Sequence, residues 1–157
     1  MKRYPDEQKY VINLFHLYLQ MGLLSKADGL VSTMSDDVRP AASALLALAK
    51  DDFTSAIELY TTLISSDSSQ KLTYNNNLSL THLYSGNVQS AIAVLEPTLR
   101  EQSQGVGALP NAVYNLCTMY EIRDDKARSR KEGVMETVVG RHGDVCGKSH
   151  FKLDSLR

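Results

Sequence analysis

One short pattern recurs along the chain and limits what it can become. Asn13-Leu14-Phe15-His16-Leu17-Tyr18, Asn77-Leu78-Ser79-Leu80-Thr81-His82 and Asn115-Leu116-Cys117-Thr118-Met119-Tyr120 each carry Asn-Leu and then a ring at the sixth place. A degenerate copy, Ala42-Ser43-Ala44-Leu45-Leu46-Ala47, fills the same slots with small residues. Four residues past the ring slot stand Gly22, Asp51 and Gly86, where a helix would end and the chain must turn. Ala27, Ala56 and Ala91 follow, each leading into apolar residues at helical spacing: Leu30, Val31 and Met34; Ile57, Tyr60, Leu63 and Ile64; Ile92 and Leu95. The alanines lie 29 and 35 residues apart.

Such a repeat describes two antiparallel helices joined by a tight turn, a unit that buries its apolar faces only by stacking on its neighbours. A small residue early in the second helix lets the two backbones approach closely. The pattern resembles the tetratricopeptide family, whose period the second interval matches. Its most specific stretch is Tyr74 to Leu99, with Tyr84-Ser85-Gly86-Asn87-Val88-Gln89-Ser90-Ala91-Ile92. The resemblance implies an all-α fold, a right-handed solenoid of about four antiparallel hairpins forming one domain over residues 1–157. Helices are expected near 7–21 and 24–35, 39–50 and 53–66, 70–85 and 88–101, and 109–122 and 124–140. A short last helix is expected near 148–155. Pro97 falls inside the sixth helix and should kink or shorten it. The first hairpin matches the pattern weakly, as terminal repeats often do.

Composition narrows the function. A chain of 157 residues can bury roughly two thirds of its unfolded surface without staples. A net charge of −1 draws the molecule toward neither nucleic acid nor anionic lipid. The longest apolar stretch, Ala41 to Ala49, is too short to span a bilayer, and acidic residues stand where a signal peptide needs an apolar core. A cytoplasmic protein with two reduced thiols, Cys117 and Cys146, is expected.

Catalytic and metal motifs find little support. His142, Cys146 and His150 are spaced by four, which on a helix would align three ligands, but Gly140, Gly143 and Gly147 interrupt the stretch. A polar loop without metal is the expectation. Gly105-Val106-Gly107 lacks the third glycine and the Lys-Ser/Thr pair of a phosphate loop, and reads as a helix connection. His16 and His82 lie on first helices, and His82 takes the slot filled by Tyr18 and Tyr120, a packing position with no nucleophile or carboxylate paired to it. No enzyme activity, cofactor, nucleic acid or small-molecule substrate is expected.

Protein binding is the remaining class. First helices line the groove of a hairpin array, so Asn76, Asn77, Leu80, Asn111, Tyr114, Asn115 and Thr118 are candidates to touch a partner. Asn77 and Asn115 can donate and accept. The lysines and arginines with which chaperone-binding relatives clamp a terminal carboxylate are nearly missing from the central first helices. Arg123, Lys126, Arg128, Arg130 and Lys131 form a basic run after the fourth turn, where Asp124 and Asp125 suit the positive end of a helix dipole. It reads as a solvated face, with Lys126, Arg128, Arg130 and Lys131 the candidates to meet an acidic partner or lipid.

The C-terminal half carries a narrower resemblance. Asn111-Ala112-Val113-Tyr114-Asn115-Leu116-Cys117-Thr118-Met119-Tyr120-Glu121 is similar to a Phe/Tyr-Asn-Leu-x-Thr-Met-Tyr-Glu signature in the family of the twelfth subunit of the TRAPP trafficking complex. Asn76-Asn77, Leu83-Tyr84-Ser85-Gly86, Arg130-Lys131, Gly143-Asp144 and Phe151-Lys152-Leu153 keep that family's order. The resemblance implies a non-catalytic subunit of a tether that activates a Rab GTPase between endoplasmic reticulum and Golgi, the exchange itself being performed by other subunits. It implies other tether subunits as partners and at most peripheral membrane association. In that family a long disordered segment precedes the array. This sequence starts almost at its first helix, so a short or truncated homologue is expected. A free adaptor that captures a peptide in its groove is the alternative; a metal-dependent hydrolase or an enzyme's regulatory domain comes third.

Overall fold

The computed structural model describes residues 5–101, 106–123 and 126–153. Among these there are eight α-helices and no strand: α1 Pro5–Gln20, α2 Leu24–Val31, α3 Arg39–Ala49, α4 Phe53–Ser66, α5 Lys71–Tyr84, α6 Val88–Glu101, α7 Leu109–Arg123 and α8 Ala127–His142. Short 3-10 turns occupy Ser68–Gln70, Val106–Ala108, Gly143–Val145 and Lys148–Phe151. The expected loop Gln102 to Gly105 and the pair Asp124-Asp125 lie outside the described residues.

Three turns share one geometry. Gly22, Asp51 and Gly86 have φ of 69°, 59° and 85°, the left-handed region that glycine enters without steric cost. In each turn the N–H of that residue donates to the carbonyl three back, and the next N–H to the carbonyl five back. The bonds are Gly22 to Leu19 and Leu23 to Tyr18, Asp51 to Leu48 and Asp52 to Ala47, Gly86 to Leu83 and Asn87 to His82, all 2.8–3.1 Å. This paired closure satisfies carbonyls that a helix end otherwise leaves open. Asp52 and Asn87 also begin the next helix, their side chains accepting from the N–H of Ser55 at 3.2 Å and of Ser90 at 3.0 Å. Leu23, at the same place in the first turn, makes no side-chain cap.

The small residues sit where close approach requires them. Ala27, Ala56 and Ala91 are fully buried. At Ala91 the backbones of α5 and α6 come close enough for the buried Ser79 Oγ to donate to the Ala91 carbonyl at 2.7 Å. An alanine thus permits a polar contact between helices that a larger side chain would block.

The chain divides into two compact units, Met1–Leu63 and Ile64–Arg157. In the first, α1 packs on α2 and α2 on α3 around Phe15, Ala27, Met34, Ala42 and Leu46. In the second, α5 touches α6 and α7, while α6 touches α7 and α8, around a larger core that includes Leu72, Ile92, Leu95, Leu116, Met119 and Tyr120. Each such fully buried aliphatic side chain contributes about 1.5–3 kcal/mol relative to exposure.

The sixth helix has the expected bounds, running through Pro97 to Glu101, so the proline does not shorten it; Thr98 Oγ1 donates to the Val94 carbonyl at 2.8 Å, beside the carbonyl of Ala93 that Pro97 cannot pair. Two expectations need correction. The second helix ends at Val31, not near 35, because Ser32 and Thr33 turn their hydroxyls back to the carbonyls of Gly29 and Leu30. Of the segment expected as a short helix over 148–155, the described part holds only a 3-10 turn, Lys148–Phe151, followed by Lys152 with φ of 50°; residues 154 and 155 lie outside the described residues.

Candidate functional site

The residues that mark the C-terminal signature lie on α7, and α7 is buried on two sides. Val113, Cys117 and Tyr120 form one buried line and Ala112, Leu116 and Met119 another, none more than 1% exposed. The second line looks toward the preceding hairpin: Ser79 Oγ of α5 lies 3.4 Å from Met119 Sδ, and Asn115 Nδ2 donates to Asn76 Oδ1 at 2.9 Å. Asn76 Nδ2 in turn approaches Asn77 Oδ1 at 3.4 Å. Two asparagines placed in the groove by the repeat pattern therefore engage each other across α5 and α7. Leu80 packs against the apolar core, and Asn111 stays exposed.

The remaining face of α7 holds a charged cluster. Glu121 Oε1 accepts from Lys131 Nζ on α8, and Oε2 accepts from Lys152 Nζ past the last 3-10 turn. Lys131 Nζ also donates to the Lys152 carbonyl at 3.0 Å, so one ammonium ties α7, α8 and the C-terminal segment together. Lys152 Nζ reaches Thr118 Oγ1 at 3.2 Å and stands 5.2 Å from the centre of the Tyr114 ring. Tyr114 and Thr118, two more groove candidates, are thus engaged by this chain's own lysine. Burial works to raise the Glu121 carboxyl, but the hydrogen bonds and charges of Lys131 and Lys152 prevail and hold it below the usual glutamate range.

Lys131 corrects the reading of the basic run. It is fully buried and ion-paired, so it does not face a lipid or an acidic partner. A buried ammonium needs a carboxylate close by, and Glu121, ten residues earlier on the neighbouring helix, supplies it. The other three candidates stay nearer the surface: Lys126 and Arg128 are exposed, Arg128 Nε pairing with Glu132 at 3.1 Å, and Arg130 is half-buried, 5.5 Å from the centre of the Tyr120 ring. A cleft of about 330 Å³ opens there, lined by Glu96, Arg100, Tyr120, Arg130 and Gly133.

The first unit offers a different groove. His16, Leu19 and Gln20 of α1 and Leu45, Leu48 and Ala49 of α3 line a space of about 370 Å³. These are the same three slots of two successive copies of the repeat. The corresponding slots of α7 are Thr118, Glu121 and Ile122, and there Lys152 is engaged with the first two.

Burial pushes the Cys117 thiol up to about 11 in spite of the nearby Lys131, and raises Cys146 as well, so neither is a ready thiolate. Cys146 belongs to the apolar core, and His150 Nδ1 lies 3.2 Å from the Gly147 carbonyl. The chain from His142 to His150 runs through separate turns, so the four-residue spacing aligns nothing. Among the described residues no group of three His, Cys, Asp or Glu side chains could hold a metal ion. Nor, among them, is any helix long and apolar enough to cross a membrane.

Sequence reasoning missed Glu121 as the partner of two lysines, Lys152 as an anchor, and a line of exposed apolar residues on α1 and at the turn just past it. The last had a signal, since Tyr10, Leu14, Leu17 and Met21 follow a four-three-four spacing.

No family model and no solved structure matches the chain. Two curated relatives do. The human protein named trafficking protein particle complex subunit 12 is 24% identical over 168 aligned positions, covering 98% of this chain and 22% of that protein. The mouse protein of the same name is 23% identical, covering 98% of this chain and 20% of its own length. The chain spans about a fifth of the length of the curated relatives it matches. Along almost its whole length, it resembles a region of the twelfth trafficking protein particle subunit.

Proposed function

We propose that the chain is a non-catalytic, tetratricopeptide-type scaffold that acts as a subunit of a TRAPP-type vesicle tether in transport between endoplasmic reticulum and Golgi. One observation carries this reading: the likeness to the twelfth subunit covers 98% of the chain, and the residues of its C-terminal signature build α7, which is buried on two sides. The repeated turns, the buried alanines and the contacts of α5 with α7 and α6 with α8 suit a solenoid of hairpins within one domain over 1–157. On this reading other tether subunits are the partners, and the protein sits in the cytoplasm at Golgi-related membranes through them.

The test is purification of the tagged chain from its own cells, followed by size exclusion and mass spectrometry. Stoichiometric tether subunits in one peak are the expected result. A monomeric peak carrying only chaperones would sink the proposal. The open apolar groove between α1 and α3 favours a second reading, a free adaptor that takes the apolar side chains of a short peptide. A monomer that binds one peptide family in a display library, and loses it on Leu48→Glu, would support that reading instead.

A further inference from the structure

The cleft of about 330 Å³ in the second unit brings a serine together with two arginines from different helices. Ser129, Gly133 and Thr137, spaced by four along α8, line it, and Leu99 and Arg100 line it from α6. The middle residue of that line leaves room, since a methyl group on Gly133 would meet nothing within 4 Å. Ser129 is exposed, one turn before this open space. Arg100, 67% exposed, holds Glu96 through Nη2, which leaves the other donors of a five-donor guanidinium for a second anion. Arg130 enters the same cleft beside the Tyr120 ring.

We infer that Ser129 is a phosphorylation site and that its phosphate is received in this cleft by Arg100 and Arg130. The class of enzyme it fits is a protein kinase with an acidic substrate groove, because Lys126 and Arg128 precede the serine and Arg130 follows it. In the transfer Ser129 Oγ attacks the γ-phosphorus of ATP and the bond to the bridging oxygen breaks. ADP leaves, and the hydroxyl proton passes to the kinase's base. The start of α8 suits such a visit. Helices α4 and α6 begin on the side chains of Asp52 and Asn87, whereas α8 begins at Lys126 with no side-chain cap and no acid in its first turn. A turn held so weakly opens readily and presents the serine in extended form. When it closes again it carries about two negative charges and three acceptor oxygens. These offset the positive end of the helix and tie α8 to α6 through guanidiniums that can each grip two oxygens. The nearby carboxylates are already engaged, Glu96 with Arg100 and Glu132 with Arg128.

The test has two arms. The full chain is purified from its own cells with phosphatases blocked, digested and read by mass spectrometry, and a phosphate on Ser129 is expected. The chain is also made with phosphoserine encoded at position 129, with and without Arg100→Ala, beside the same two chains carrying serine. By phosphorus NMR the phosphate should titrate about one pH unit below the ~6 of a free phosphoserine. It should also raise the melting temperature by about 2–4 °C. Arg100→Ala should remove most of both shifts. Each gain is read against the matching chain without phosphate, so a folding loss in Arg100→Ala does not mask the result. No phosphate on Ser129 in the cellular chain, an unshifted titration, or equal shifts with and without Arg100 would each overturn the inference. None of these readings depends on whether the chain is a tether subunit.

Discussion

Helices α1 and α7 carry the same repeat in the same register, yet one is buried on two faces and the other on one. Val113, Cys117 and Tyr120 correspond to Val11, Phe15 and Tyr18, and both sets turn toward the core of their own unit. The difference lies on the other face and beyond it. On α7 the hairpin before covers Ala112, Leu116 and Met119, and the chain's own C-terminal segment adds Lys152 to Tyr114, Thr118 and Glu121. On α1 the matching line is open. The same slots are apolar in both copies, and among the described residues only those on α7 are buried.

The largest test of the comparison falls on the charged cluster. Glu121→Ala leaves Lys131 buried without a partner and should cost about 3–5 kcal/mol, read as a loss of urea midpoint. A loss below about 1 kcal/mol would mean the cluster does not hold the C-terminal segment to α7. Next come matched truncations. Leu116→Ala on α7 should cost about 2–5 kcal/mol, while Leu14→Ala in the same slot of α1 should stay within about 0.5 kcal/mol. Equal losses would show that α1 is covered after all.

A third test uses pH. The folded Glu121 carboxyl lies below its ordinary value of 4.5, so its contribution is complete above that value and fades as pH falls through the lower folded value. The melting difference between the parent and Glu121→Gln should therefore be full near neutrality and shrink in acid below 4.5. A difference that stays constant down that range would assign the effect to packing. The smallest expected effects are at the turns. Asn87→Ala and Asp52→Ala should each cost about 1 kcal/mol by removing a cap. Asp51→Gly should stabilise by about 1 kcal/mol, because it relieves a left-handed side chain.

How much was legible follows from where each constraint resides. The turns at Gly22, Asp51 and Gly86 and the alanines at 27, 56 and 91 could be read because local chemistry at a fixed offset determines them. The groove could be read only as a set of slots. That Asn115 would find Asn76 depends on two helices meeting 39 positions apart in sequence. The pairing of Lys131 is hidden for a related reason. A lysine in a basic run looks solvated until its carboxylate is found, and Glu121 lies on another helix. Lys152 reaches that same carboxylate from 31 residues away, with no spacing to announce it. The early end of α2 is local: apolar spacing carries the helix past Ser32 and Thr33, but their hydroxyls end it.

The buried ammonium of Lys131 also bears on ionic strength. Of the basic run, Lys131 neutralises a carboxylate inside the protein, Arg128 pairs with Glu132, and Arg130 lies against the Tyr120 ring. Of these, only Lys131 is withdrawn from the surface altogether, so it releases no counterion to an anionic partner. The salt dependence of any attachment through this run would therefore be less steep than its count of basic residues implies, by about the share of one cation, with screening acting over about 8–10 Å in the physiological range.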